Sequence, residues 1–177
     1  MKVIPVLATG LALLSAADTT TVRVAQDATV TYNNAMCLNS TVQCDTIPKG
    51  LDTYVLAFTN ERDYERILLG FDIPSPAPQT CTLRVPQPQY SAEYMLTVWS
   101  TDNDWDEATV CGANKANAGS LLGGLQWPAT TVDVTAVCQA AAGQRLSLFV
   151  DSTSGNVVSF DSLQSGNDDV FALDIQA

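Results

Sequence analysis

Residues 102–107 read DNDWDE, four acidic side chains and an asparagine around one tryptophan. Such a set suits a calcium loop, a pair of catalytic carboxylates, or an aromatic sugar platform with an acidic rim. Asp102, Asp104 and Asp106 have the alternate spacing of the first three ligands of an EF-hand loop. The sixth position of that loop requires glycine and is Glu107, and the twelfth requires glutamate and is Ala113, so an EF-hand is excluded. Calcium remains an optional cofactor, held by two of these aspartates with a distant backbone carbonyl. The sequence favours a solvated acidic turn whose Asp and Asn side chains satisfy turn backbone groups.

Catalysis would need two carboxyl groups facing each other across a cleft, one with its pKa raised by burial. Neighbours in DNDWDE point apart, so a partner would have to come from Asp72, Asp133, Asp151 or Asp161. A β-eliminating lyase would need cations for a uronate, and only Arg62, Arg66 and Arg84 offer themselves. No acid–base constellation is visible, and no catalytic residue is assigned. Sugar binding asks for less: pyranose C–H faces pack on aromatic rings while Asp, Asn and Gln bond the hydroxyls. Trp99, Trp105 and Trp127 are the candidates for that role.

Composition removes other classes. The 177 residues contain no histidine, which excludes Ser-His-Asp and Cys-His nucleophiles and histidine-bound zinc. Residues 1–17 have the form of a secretory signal peptide: Lys2, the apolar run Val3 to Leu14, then Ser15-Ala16-Ala17. Without Lys2, seven basic side chains face nineteen acidic ones, a formal charge of −12, so nucleic acid is not an expected partner. No later stretch is apolar enough to span a bilayer.

The expected product is a secreted monomer, in the extracellular space or cell wall. Its five cysteines are then expected to pair where geometry allows, as Cys37–Cys44 and Cys81–Cys138, leaving Cys111 over. Asn39-Ser40-Thr41 is a glycosylation sequon at Asn39.

The elements that must position these residues read as short strands between turn residues: 21–26, 53–59, 65–74, 81–85, 93–100, 131–137, 145–151, 156–162 and 169–175. In 93–100, Tyr94, Leu96 and Val98 form a core face and Trp99 lies on the other. In 145–151, Leu146, Leu148 and Val150 point inward and Phe149 opposes them. The nearly continuous apolar run 65–74 fits a strand covered on both sides. One helical turn, 135–143, ends on Gly143. Long loops occupy 33–52 and 111–129. About nine strands without a long helix predict an all-β antiparallel sandwich, a single domain over 18–177.

The order of the pieces resembles the DNRLRE-type β-sandwich of carbohydrate-binding module family 96. AQDATV (25–30), ILLGFDIP (67–74), a Trp-x-Glu turn at Trp105 and Glu107 before Val110, VDVT (132–135), VVSFDS (157–162) and VFALDIQ (170–176) stand in the expected order. The sequence departs where Ser-Arg-Glu becomes Ser162-Leu163-Gln164 and where Thr-Trp becomes Cys111-Gly112. The resemblance implies a jelly-roll-like, non-catalytic domain that binds polysaccharide. It also implies that Trp105 plugs the sandwich while Glu107 ties down backbone amides. The rival readings are a secreted adhesin or effector that binds protein and, third, a polysaccharide lyase or hydrolase.

Overall fold

The computed structural model describes residues 18–32, 44–60, 63–90 and 93–177. These form eleven strands, against the nine or so expected, in two antiparallel sheets. The smaller sheet has the order β1 (Thr19–Arg23), β11 (Ala172–Gln176), β5 (Thr80–Arg84), β8 (Thr131–Asp133). The larger runs β10 (Val158–Asp161), β3 (Tyr54–Thr59), β4 (Tyr64–Asp72), β9 (Arg145–Ser152), β6 (Met95–Thr101), β7 (Ala118–Gln126), with β2 (Gln26–Tyr32) also paired to β4. The predicted signal peptide, Asn39 and the Cys37–Cys44 pairing lie outside the described residues. Among the described residues no helix is long and apolar enough to cross a membrane.

The core lies between the sheets, where strand alternation sends every second side chain. Leu83 and Cys81 of β5 and Leu173 and Ile175 of β11 meet Leu96 and Val98 of β6 and Leu146, Leu148 and Val150 of β9. β4 is central, because Ile67 to Gly70 pair with β2 along one edge and with β9 along the other. Its Ile67, Leu69 and Phe71 enter this core, while Leu68 points to a second cluster on the outer face. That two-sided burial explains its unbroken apolar run. The disulfide Cys81–Cys138 joins β5 to the helix α1 (Thr135–Ala140), and Cys111 is a buried free thiol.

Three departures from expectation have local causes. The stretch 21–26 is not one strand: the chain leaves the small sheet after Arg23 and enters the large one at Gln26. The segment 131–137 stops being a strand at Asp133, whose Oδ1 accepts a hydrogen bond from the Thr135 amide at 2.9 Å as α1 begins. The loop expected at 111–129 contains β7, an edge strand hidden by its glycines. A side chain at Gly124 would come within 3.2 Å of the Leu96 carbonyl oxygen, so a bare backbone suits this close pairing with β6.

Candidate functional site

The acidic turn lies on the outer face of the large sheet. Trp105 is 9% exposed and packs with Val110 and Ala116 on Ala28, Val30, Leu68 and Phe149. Its indole stands over Gly70 and donates from Nε1 to Ser147 Oγ at 3.0 Å. The loop is fixed at several points. Asp106 Oδ1 accepts from the Ala108 amide at 3.0 Å, and Asn103 Nδ2 donates to the Arg145 carbonyl at 2.7 Å. Glu107 Oε1 accepts from the Asp27 amide at 2.8 Å and from Gln164 Nε2 at 2.9 Å. Gly112 presses on Thr31, where a Cβ would sit 2.0 Å from the carbonyl oxygen. Residues 102–117 thus form a flap, a third layer over part of the sheet.

The flap removes its own tryptophan from solvent. A hollow beside the turn is lined by Asn103, Asp104, Asp106 and Asn114 together with Trp105, which is 9% exposed. Asp102, Asp104 and Asp106 are exposed. Among the described residues no three His, Cys, Asp or Glu side chains gather as a metal site.

Under the flap's hinge, Asp27 is buried and its carboxyl is pushed up to about 7, chiefly by desolvation, with the Glu107 charge adding to it and the Leu163 amide opposing it. Asp27 Oδ2 accepts from that amide at 2.7 Å. Asp27 Oδ1 and Gln164 Oε1 are buried and accept no hydrogen bond. Such a group costs about 1–3 kcal/mol apiece.

Along the edge of the flap the outer face is partly exposed, and register defines what lies there, from the covered Val30 outward. Val30, Arg66, Asp151 and Thr97 form one row across β2, β4, β9 and β6. Arg66 Nε donates to Asp151 Oδ2 at 2.9 Å, and Thr59 Oγ1 donates to the other carboxylate oxygen at 2.5 Å. Tyr32 and Tyr64, opposite each other on β2 and β4, stack with centroids 5.2 Å apart. The Arg66 guanidinium lies 4.2 Å from the Tyr64 centroid, and Lys115 Nζ lies 6.0 Å from the Tyr32 centroid.

On the other side of the row stands Trp99, its Nε1 bonded to Thr97 Oγ1 at 3.1 Å. Trp99, Arg66, Asp151, Phe149 and Ala118 line a groove of about 120 Å³.

The other predicted residues are dispersed. Trp127 is partly buried at the end of β7, edge-on to Tyr94 at 5.6 Å, and packs on the inter-sheet core rather than the outer face. Asp72 pairs with Arg145, Asp161 accepts from Gln89, and the exposed Asp133 has its pKa lowered by its Thr135 hydrogen bonds. Arg84 pairs with Asp174 on the small sheet, and Arg62 lies outside the described residues.

The model of carbohydrate-binding module family 96 matches residues 13–176, nearly the whole chain. The chain belongs to carbohydrate-binding module family 96. It is also similar to an uncharacterized secreted protein of Arthroderma benhamiae, 31% identical over 146 residues that make up 72% of this chain and 74% of that one. In the module, two separated pieces of the resemblance, Asp27 of AQDATV and Glu107 of the Trp-x-Glu turn, meet Gln164, which stands where the sequence departs from the family pattern. The tyrosines of the open face escaped sequence reasoning. Parity along 64–70 would have put Tyr64 and Arg66 opposite the core residues Ile67 and Leu69, but only the β2–β4 register brings Tyr32 beside them.

Proposed function

We propose that the module binds extracellular or cell-wall polysaccharide along the open part of the outer face, with a neutral pyranose chain as ligand. One observation carries this reading: partly exposed aromatic rings flank a fixed ion pair on the outer face along the edge of the flap. Trp99 and the Tyr32–Tyr64 pair would take sugar C–H faces, while Arg66, Asp151 and Thr97 would bond hydroxyls between them. The Arg66 charge is matched by Asp151, which suits an uncharged ligand. The strongly acidic chain disfavours a polyanion unless a cation bridges the two. The reading is of a non-catalytic module, since the carboxylates considered for acid–base work are tied to separate partners.

The test is a pull-down on glucan, chitin, cellulose and alginate, with and without EDTA, using the wild type and Tyr64→Ala. Binding to a neutral glycan that weakens in Tyr64→Ala is expected. Tight, EDTA-resistant binding to alginate with no neutral ligand would overturn it.

A further inference from the structure

Asp27, Glu107 and Gln164 come from β2, the flap and the 3-10 turn Leu163–Ser165, and they meet where the flap is hinged to the sheet. One carboxylate oxygen, Glu107 Oε1, takes both the Asp27 amide and the Gln164 side-chain amide, so Asp27 and Gln164 flank the same group. Asp27 is 1% exposed, and its Oδ1 accepts no hydrogen bond; the buried Gln164 Oε1 is in the same position. Gln164 has already turned its amide nitrogen toward Glu107, which leaves its oxygen as the end available to a cation. Among the described residues, neither Asp27 nor Glu107 has a Lys or Arg in salt-bridge contact. The locus therefore brings two carboxyl groups and a side-chain amide together with no cationic side chain paired to them, and two of its oxygens, Asp27 Oδ1 and Gln164 Oε1, take none of the N–H groups around them.

We infer that Asp27, Glu107 and Gln164 are ligands of a calcium ion that fastens the flap to β2 and to the Leu163–Ser165 turn. Oxygen ligands of mixed type, carboxylate and amide, drawn from a strand, a loop and a turn, match the irregular coordination that calcium accepts. Magnesium is a poorer match, because it demands near-ideal octahedral geometry and keeps several waters, whereas Asp27 is sequestered. Zinc would prefer nitrogen or sulfur ligands, and none belongs to this group. The ion would neutralise both carboxylates and give the two unpartnered oxygens a partner. These ligands differ from the exposed Asp102, Asp104 and Asp106, and the inference does not depend on what occupies the groove.

The experiment uses full-length protein stripped of metal on a chelating resin. Calcium and magnesium are titrated against the melting temperature, and terbium luminescence is excited through Trp105, two residues from Glu107. Calcium is expected to raise the melting temperature saturably, with magnesium much less effective. Asp27→Asn should weaken calcium and terbium affinity at least tenfold. Gln164→Glu, which adds a third carboxylate, should tighten it, and that gain keeps the test informative if Asp27→Asn folds poorly. Equal responses to both metals that survive in Asp27→Asn would mean binding to surface carboxylates and overturn the inference. So would a wild type that ignores calcium and is stabilised only by acid, the signature of a proton shared between Asp27 and Gln164.

Discussion

The Trp105 indole donates to Ser147 Oγ at 3.0 Å, and this bond joins the flap to β9 from above the sheet. It makes Trp105 part of the packing rather than a platform for ligand. Trp105→Ala would remove a large buried ring and leave Ser147 without its partner. Its expected cost is about 3–5 kcal/mol, read from the urea midpoint. Trp105→Phe keeps most of the packing and loses the N–H, so it should cost much less. An Ala variant as stable as the wild type would mean that the flap does not pack in solution.

The exposed tyrosine pair and the flap make opposite demands on mutation. Tyr32 is 46% exposed, and its outer surface is available to a sugar. Tyr32→Ala should leave stability within about 0.5 kcal/mol of wild type. The same variant should weaken binding to the preferred neutral glycan about tenfold, the equivalent of roughly 1.4 kcal/mol. Isothermal titration paired with thermal melts separates the two effects. Undiminished affinity in both Tyr32→Ala and Tyr64→Ala would remove the open face as the ligand site.

The strands legible in the sequence were those whose alternation is enforced by a two-sheet core. Tyr94, Leu96 and Val98, or Leu146, Leu148 and Val150, can lie on one face only if the segment is extended, and the structure places them together. β7 was illegible because its glycines break the apolar alternation at points of close approach to β6: Gly119 lies against Ser100, and Gly124 against Leu96. The aromatic face was illegible for another reason. Tyr32 and Tyr64 become neighbours only through the β2–β4 register, and a single sequence does not specify which strands pair. The acidic turn was partly legible, since Trp105 and Glu107 stood out as a pair of types. That Glu107 reaches Asp27, eighty residues earlier, is a tertiary fact.

The Cys81–Cys138 bridge closes a loop of 57 residues between β5 and α1. Constraint of the unfolded chain by a loop of that length is worth about 4 kcal/mol in the entropy model. Both cysteines are fully buried, so replacement by Ala also leaves space in the core. Cys81→Ala/Cys138→Ala is expected to lose at least that much stability in denaturant melts. Reduction of the native protein should be slow until it unfolds, as a thiol-trapping assay at rising urea would show. Rapid trapping of both thiols without urea would contradict the buried placement.

The buried carboxyl of Asp27 gives a pH dependence whose sign is fixed by its direction. Its pKa rises from an ordinary value of 3.8 to about 7 in the folded chain, so folding favours the protonated acid. That contribution is complete below the unfolded value, declines as pH climbs, and is gone above the folded value. In metal-free protein, stability should therefore fall between roughly pH 4 and pH 7, by on the order of 4 kcal/mol at most from this group.

The acidic chain also repels itself more as pH rises, but that effect is common to every variant. Asp27→Asn, neutral at all pH, isolates the difference: its curve should lack the extra decline and cross or approach the wild type near neutrality. Denaturant melts of both proteins from pH 4 to pH 8 measure it. Parallel curves would show that Asp27 ionises in the folded state as readily as in the unfolded one.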